Sequence, residues 1–327
     1  PPGGESAPVP EAVCGSTDWK NAVCYSGTMY DKARAVVRLN IGGTSACTGW
    51  LFGTAGHLVT NEHCLTSQAN VNNTDFEFMA EGSTCNTNCD SWMGCPGIGW
   101  TGAGTYVTDD AGLDYCLVQL AGNPQNTYGY LQARATSAAV NEPIFIPQHP
   151  QAYGKKIADK NSGSNCTISS TTQTPCSGGG SGDFGYTCDT AGGSSGSPVV
   201  SQADWLVVAL HHCASSTGGC PNRGLKIVEV MSDMGSDLPP GATPGGTCTA
   251  PGAPNLASAT GTCDAVNLTW TAGSGTTQSY NVYRKTSPCG GTYGKIAGPL
   301  TGTSYSDTTA AAGTTYAYVV RGACDAG

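Results

Sequence analysis

Seventeen cysteines in a chain of 327 residues restrict what this sequence can fold into more than any other feature. With 47 glycines beside them, they read as disulfides formed in an oxidising compartment. A metal scaffold is the competing use of so many thiols. No CxxC…CxxC or HExxH pattern occurs, and the cluster Cys85, Cys89 and Cys95 has no histidine near it. No metal and no other cofactor is therefore expected. Seventeen is odd, and Cys116, inside an apolar run, is the expected unpaired thiol.

Charge and hydropathy exclude further classes. The formal net charge is −9, and the 14 Lys and Arg form no dense patch, which argues against a nucleic-acid partner. Apolar runs such as Trp205 to Leu210 are far too short to span a bilayer. No leader precedes Pro1, so the chain reads as processed or trimmed, and secretion is inferred from the cysteines. The apolar residues recur in short alternating runs, Ala33 to Leu39, Ala46 to Phe52 and Leu117 to Leu120, between Gly- and Asn-rich turns. That rhythm predicts an all-β chain.

The chemistry concentrates at Thr190-Ala191-Gly192-Gly193-Ser194-Ser195-Gly196-Ser197-Pro198. A serine hydroxyl becomes a nucleophile when a base takes its proton and backbone N–H groups face the oxyanion that forms. Glycine permits the backbone bend that turns N–H groups inward. Ser195 is thus the candidate nucleophile, with the N–H groups of Gly193 and Ser195 as the oxyanion hole. A base and an orienting acid exist elsewhere. His63 follows the apolar segment Leu58-Val59-Thr60, with His57, expected in a turn, as its rival. Asp114 opens the run Tyr115 to Leu120, with Asp109 and Asp110, in an expected turn, as its rivals.

The chain order His63, Asp114, Ser195 resembles that of trypsin/chymotrypsin-fold serine proteases. The likeness covers roughly residues 10 to 237, and it is similar in detail to the secreted bacterial lysyl and glutamyl endopeptidases. It implies two six-stranded antiparallel β-barrels, about 25–125 and 126–238, within a protease domain at 14–238 that follows a loose segment at 1–13. It also implies a Cys47–Cys64 staple holding His63 to the barrel wall, which favours His63 over His57. Cys14 and Cys24 would tie the N-terminus to the body, and His149 reads as structural. Cys166 and Cys176 bracket a Ser/Thr loop that they would close. One departure is Ser194, where vertebrate-type members carry an Asp that pairs with a freed N-terminus.

Specificity stays open between two pockets. Asp189, six residues before Ser195, stands where trypsin keeps its pocket acid, which would select Lys or Arg at P1. Thr190 and His211 instead resemble the glutamyl endopeptidases, in which such a pair receives an acidic side chain. The basic pocket is the first expectation and the acidic pocket the second; in a third reading Asp189 only ties down backbone beside Cys188. Substrates are expected to be proteins or peptides. A non-catalytic binding protein on the same fold is the rival class.

From Pro239 the composition becomes that of a Pro/Gly linker, expected at 239–254. Residues 255–327 then show short alternating strands with Trp270, Tyr280 and Tyr316. They resemble a fibronectin type III domain, a small β-sandwich stapled by Cys263 and Cys324. It reads as a spacer or a surface- or substrate-binding arm.

Overall fold

The computed structural model describes residues 11–100, 102–215, 219–244, 253–262, 264–273, 279–286, 292–300 and 302–323. They divide after Pro244 into two compact units. No helix among the described residues is long and apolar enough to cross a membrane.

The first unit is built on two antiparallel sheets. One has seven strands, in the order Ile98–Gly99, Thr74–Phe78, Val36–Ile41, Ser45–Phe52, His57–Thr60, Tyr115–Leu120, Gly104–Asp110. The other has eight, with Ile144–Gln148, Pro198–Ser201, Val207–Cys213, Asn222–Lys226 and Asp183–Tyr186 as consecutive neighbours. The all-β class holds. The strand pairing itself leaves both ladders open, with the two-residue strands Ile98–Gly99 and Lys20–Asn21 at their edges, and does not trace six-stranded barrels.

Alternation explains why these segments pair. In Tyr115–Leu120 only Gln119 is exposed, and in Val207–Cys213 every residue is buried. A strand buried on both faces packs two cores at once. Phe145, Val200, Val207, Leu210 and Leu225 of the second sheet share one apolar cluster with Trp50, Phe52, Leu58 and Val118 of the first. Val199, Val208 and Ala209 turn to a second cluster with Ile146, Phe184 and Tyr186.

Two local expectations are corrected. Asp109 and Asp110 close the strand Gly104–Asp110 rather than sitting in a turn, and His57 opens the strand His57–Thr60. Both belong to ladders, because their partners Cys116, Tyr115, Phe52 and Gln119 extend the pairing that far.

Six disulfides join described cysteines: Cys14–Cys220, Cys24–Cys85, Cys47–Cys64, Cys89–Cys95, Cys166–Cys188 and Cys176–Cys213. The Cys47–Cys64 staple and the two N-terminal ties are as expected. Cys166 and Cys176 do not close a loop on each other. Cys166 reaches Cys188 and Cys176 reaches Cys213. Cys116 is free and buried. Residues 239–243 differ from a linker. Pro240 O accepts from Thr54 N at 2.7 Å, Ala242 O accepts from Ala133 N at 2.7 Å, and Gln132 donates to Gly241 O and Thr243 O.

The second unit has two three-stranded sheets, Asn255–Gly261/Val266–Thr271/Ser304–Asp307 and Gly294–Leu300/Ser279–Thr286/Tyr316–Ala323. Leu268 and Trp270 of one share a core with Tyr280, Val282 and Val320 of the other, which makes it a sandwich. Tyr316 Oη accepts from Ala311 N at 3.1 Å. Cys263 and Cys324 lie outside the described residues.

Candidate active site

His63 sits in the turn after His57–Thr60, where Cys64 N and Leu65 N donate to Asn61 O. The disulfide to Cys47 fixes this turn against the neighbouring strand. Asp114 precedes Tyr115–Leu120 with φ +48°, a left-handed backbone uncommon outside glycine. Asn61 Nδ2 holds its carbonyl at 2.8 Å. That bend aims the carboxylate at His63. Oδ1 accepts from His63 N at 3.1 Å, and Oδ1 and Oδ2 lie 3.0 and 2.9 Å from His63 Nδ1.

Burial alone would lower the pKa of His63. The hydrogen bond and charge of Asp114 outweigh it, so the imidazole stands above its ordinary value. Burial likewise opposes ionisation of Asp114, but its bonds to His212 and His63 hold the carboxyl well below the usual range.

Ser195 is held by the first sheet. Thr48 N donates to Ser195 O at 2.9 Å and Thr48 Oγ1 to Gly193 O at 2.8 Å. Gly193 has φ +98°, and a Cβ there would meet His149 O at 2.8 Å; at Gly196 it would meet Thr48 O at 2.1 Å. Both positions therefore require glycine. The turn closes through Ser194 N to Ala191 O and Ser197 N to Ser194 O, bonds that involve neither the Gly193 nor the Ser195 N–H. Ser194, the departure from Asp, accepts from Ala191 N through its hydroxyl.

The expected pocket residues separate. Asp189 is fully buried, and its oxygens accept from Cys14 N and Asp18 N, both at 2.7 Å. Its carboxylate is engaged by the backbone of the N-terminal segment. Thr190 opens the serine turn, and His211 lies against it, its carbonyl accepting from Gly196 N at 2.8 Å. His211 Nδ1 is anchored 2.6 Å from Tyr186 Oη and 3.1 Å from Arg223 O. Its Nε2, like Thr190 Oγ1, is buried without a hydrogen bond. His149, as read, is buried, with Nδ1 3.0 Å from Tyr153 O and burial pushing its pKa well down.

Two participants escaped the sequence reading. His212 is the neighbour of His211 in one strand, so the two side chains leave on opposite faces. Its Nδ1 lies 3.2 Å from Asp114 Oδ2 and its Nε2 2.9 Å from Asp183 Oδ2. The second is Glu11. Ser195 Oγ donates to Glu11 Oε1 at 2.6 Å, and Glu11 Oε2 stands 3.6 Å from His211 Nε2. Only the doublet His211-His212 was a visible signal, and nothing in the sequence marks Glu11.

The family model of the trypsin-like peptidase domain matches residues 47–210, half of the chain. The chain belongs to the trypsin-like peptidase family. It is 44% identical over 229 residues to Secreted RxLR effector protein 73 of Plasmopara viticola, across 68% of this chain and 55% of that protein. The chain thus spans about half the length of this relative, which comes from an oomycete rather than a bacterium. A solved Glu endopeptidase is similar at 18% identity and TM-score 0.47, over 67% of this chain and 95% of that one. An Fn3-like protein from Clostridium thermocellum is 42% identical over 24% of this chain and 82% of its own, with TM-score 0.22. In this trypsin-like peptidase the matched segment holds His63, Asp114, Ser195 and the strand up to Leu210; His211 and His212 follow directly.

Proposed function

We propose that the chain is a secreted serine endopeptidase that cleaves peptide bonds after acidic residues, glutamate first. Ser195 attacks the peptide carbonyl while His63 accepts its proton. Asp114 holds Nδ1–H and stabilises the imidazolium. The N–H groups of Gly193 and Ser195 receive the oxyanion. His63 then protonates the leaving amine, and water repeats the cycle on the acyl-enzyme.

One observation carries the acidic preference. Thr190 Oγ1 and His211 Nε2 are buried polar atoms with no hydrogen-bond partner, beside Ser195, and a carboxylate already lies 3.6 Å from Nε2. Burying a donor unsatisfied costs about 1–3 kcal/mol, and a substrate carboxylate would satisfy both. The engagement of Asp189 by backbone N–H groups removes the reason to expect basic residues. Secretion is supported by the six disulfides.

A peptide panel differing only at P1, with Glu, Gln, Lys and Phe, tests this. Glu is expected to exceed Gln in kcat/KM by 100-fold or so, since a charge-assisted bond is lost with the amide. Ser195→Ala should lose roughly 10⁴-fold or more and resist fluorophosphonate labelling. Cutting after Lys would return the pocket to Asp189, and no cutting or labelling would favour a binding protein on a protease fold.

A further inference from the structure

Glu11 is held in an unusual way. From Ala12 onward the N-terminal strand is anchored beside the pocket. Ala12 N donates to Asn222 Oδ1 at 3.0 Å, while Ala12 O accepts from Asn222 Nδ2 at 2.7 Å and from Thr190 N at 3.0 Å. Cys14 is bonded to Cys220, and its N–H to Asp189. The contacts described for Glu11, by contrast, run through its carboxylate, to Ser195 and towards His211. That side chain is only 4% exposed. Among the described residues, the Ser195 hydroxyl is therefore engaged with Glu11 and not with His63.

We infer that Glu11 is a built-in occupant of the acidic-side-chain pocket, and that the Glu11–Ala12 peptide bond is a processing site for another molecule of this same enzyme. The inference rests on the acidic P1 reading given above. A carboxylate that fills the pocket in cis competes with every substrate, because a short tether gives it a high effective concentration. It also accepts the hydrogen bond of the Ser195 hydroxyl, turning that hydrogen away from His63. The same carboxylate makes residue 11 the P1 residue this pocket would select.

When the segment swings out about the anchored Ala12, a second molecule can bind Glu11. Its Ser195 Oγ adds to the Glu11 carbonyl carbon and gives its proton to His63. The C–N bond to Ala12 breaks as His63 protonates the departing Ala12 amine. Water then hydrolyses the ester, leaving a carboxylate on Glu11 and a free hydroxyl on Ser195. Everything N-terminal to Ala12 is released. The body keeps its shape, since Asn222, Thr190 and Cys220 hold the new terminus where it already lies.

The test follows the full chain by intact mass and N-terminal sequencing while it hydrolyses the P1 panel. Wild-type protein should acquire Ala12 as its new terminus, with a lag in Glu-peptide hydrolysis that shortens as enzyme concentration rises. Ser195→Ala should stay whole alone and be cut at Glu11–Ala12 by added wild type. Glu11→Gln should remain uncut at that bond. Glu11→Ala should start without a lag, at about tenfold or more above the initial wild-type rate. Equal thermal unfolding of both variants and the wild type shows that they are folded. If Glu peptides are cut well, yet Glu11–Ala12 stays intact and Glu11→Ala changes no initial rate, the inference fails and the acidic pocket stands. If every variant prefers another P1 residue, the pocket reading fails and takes the inference with it.

Discussion

Asp114 must stay ionised where little water reaches it, and His212 is the group that makes this affordable. Both nitrogens of His212 face carboxylates, Asp114 and Asp183. A carboxylate only accepts, so each nitrogen needs a hydrogen and the ring is an imidazolium. Burial opposes that charge, but the two acids outweigh it and raise its pKa to about 9. Two consequences can be measured. A folded pKa above the unfolded value contributes stability that is fully present below about pH 6.5 and is lost as pH rises through about 9. The unfolding free energy from denaturant titration should therefore fall across that window by of order 1–3 kcal/mol, and a flat profile would reject the imidazolium. The second consequence concerns His63, which as the proposed base must be neutral to accept a proton. Its raised pKa places the acid limb of kcat/KM above about pH 6.5, and the charge on His212 keeps that limb from lying higher. Asp183→Asn lets His212 lose its proton. The limb should then move up by roughly half a pH unit to one unit, whereas a limb that stays in place would leave Asp183 without a role in the chemistry. Asp189→Asn tests a different carboxylate. It should cost about 1–3 kcal/mol of stability while leaving P1 preference untouched, because both oxygens face the backbone of the N-terminal segment.

At the scale of elements, the site is an agreement between one turn and two strands from different sheets. The turn carrying His63 is tied by Cys47–Cys64, and Thr48, next to that bridge, holds the carbonyls of Gly193 and Ser195. Replacing both cysteines by alanine should cost about 3 kcal/mol for a loop of this size. It should lower kcat more than it raises KM, because the bridge positions the base rather than the substrate. Unfolding curves and a kcat-against-KM comparison separate the two effects, and an unchanged kcat would show that Thr48 suffices. The elements also explain what the sequence could disclose. Glycine turns and alternating runs are local patterns, so the Ser195 loop, the strand after Asp114 and the all-β class were legible. Partnerships across the fold were not. His212 meets Asp183 over 29 residues, and Ser195 meets Glu11 over 184. The three readings of Asp189 could not be separated, because sequence position gives a side chain's place but not which N–H groups reach it. The doublet His211-His212 held more than was taken from it: neighbours on one strand face opposite ways, so one can serve the pocket and the other the acid.

For the whole molecule, the boundary between the two units is a physical question, because composition and contact disagree about it. Pro239 to Gly246 has the composition of a flexible linker. Yet its first residues complete the peptidase unit. Thr54 N and Thr54 Oγ1 donate to Pro240 O, Ala133 N to Ala242 O, and Gln132 Nε2 to the carbonyls of Gly241 and Thr243. Gly53 and Gly241 both have positive φ, and a Cβ on Gly53 would meet Pro240 O at 2.4 Å, so the two segments are fitted closely. Ala133 also bridges Val207, the first residue of the strand that ends in His211, His212 and Cys213. A chain ending at Pro244 should therefore unfold within a few degrees of the full protein and cleave the same peptides at the same rate. A chain ending at Leu238 exposes the N–H groups of Thr54 and Ala133 without their acceptors. At about 1 kcal/mol for each lost hydrogen bond, with several lost together, it should melt roughly 10 °C or more lower. The two truncations differ by six residues, all of them outside the catalytic machinery. Equal melting temperatures for both would mean that the linker reading of the sequence was correct, and that the residues after Leu238 only rest on the surface they touch.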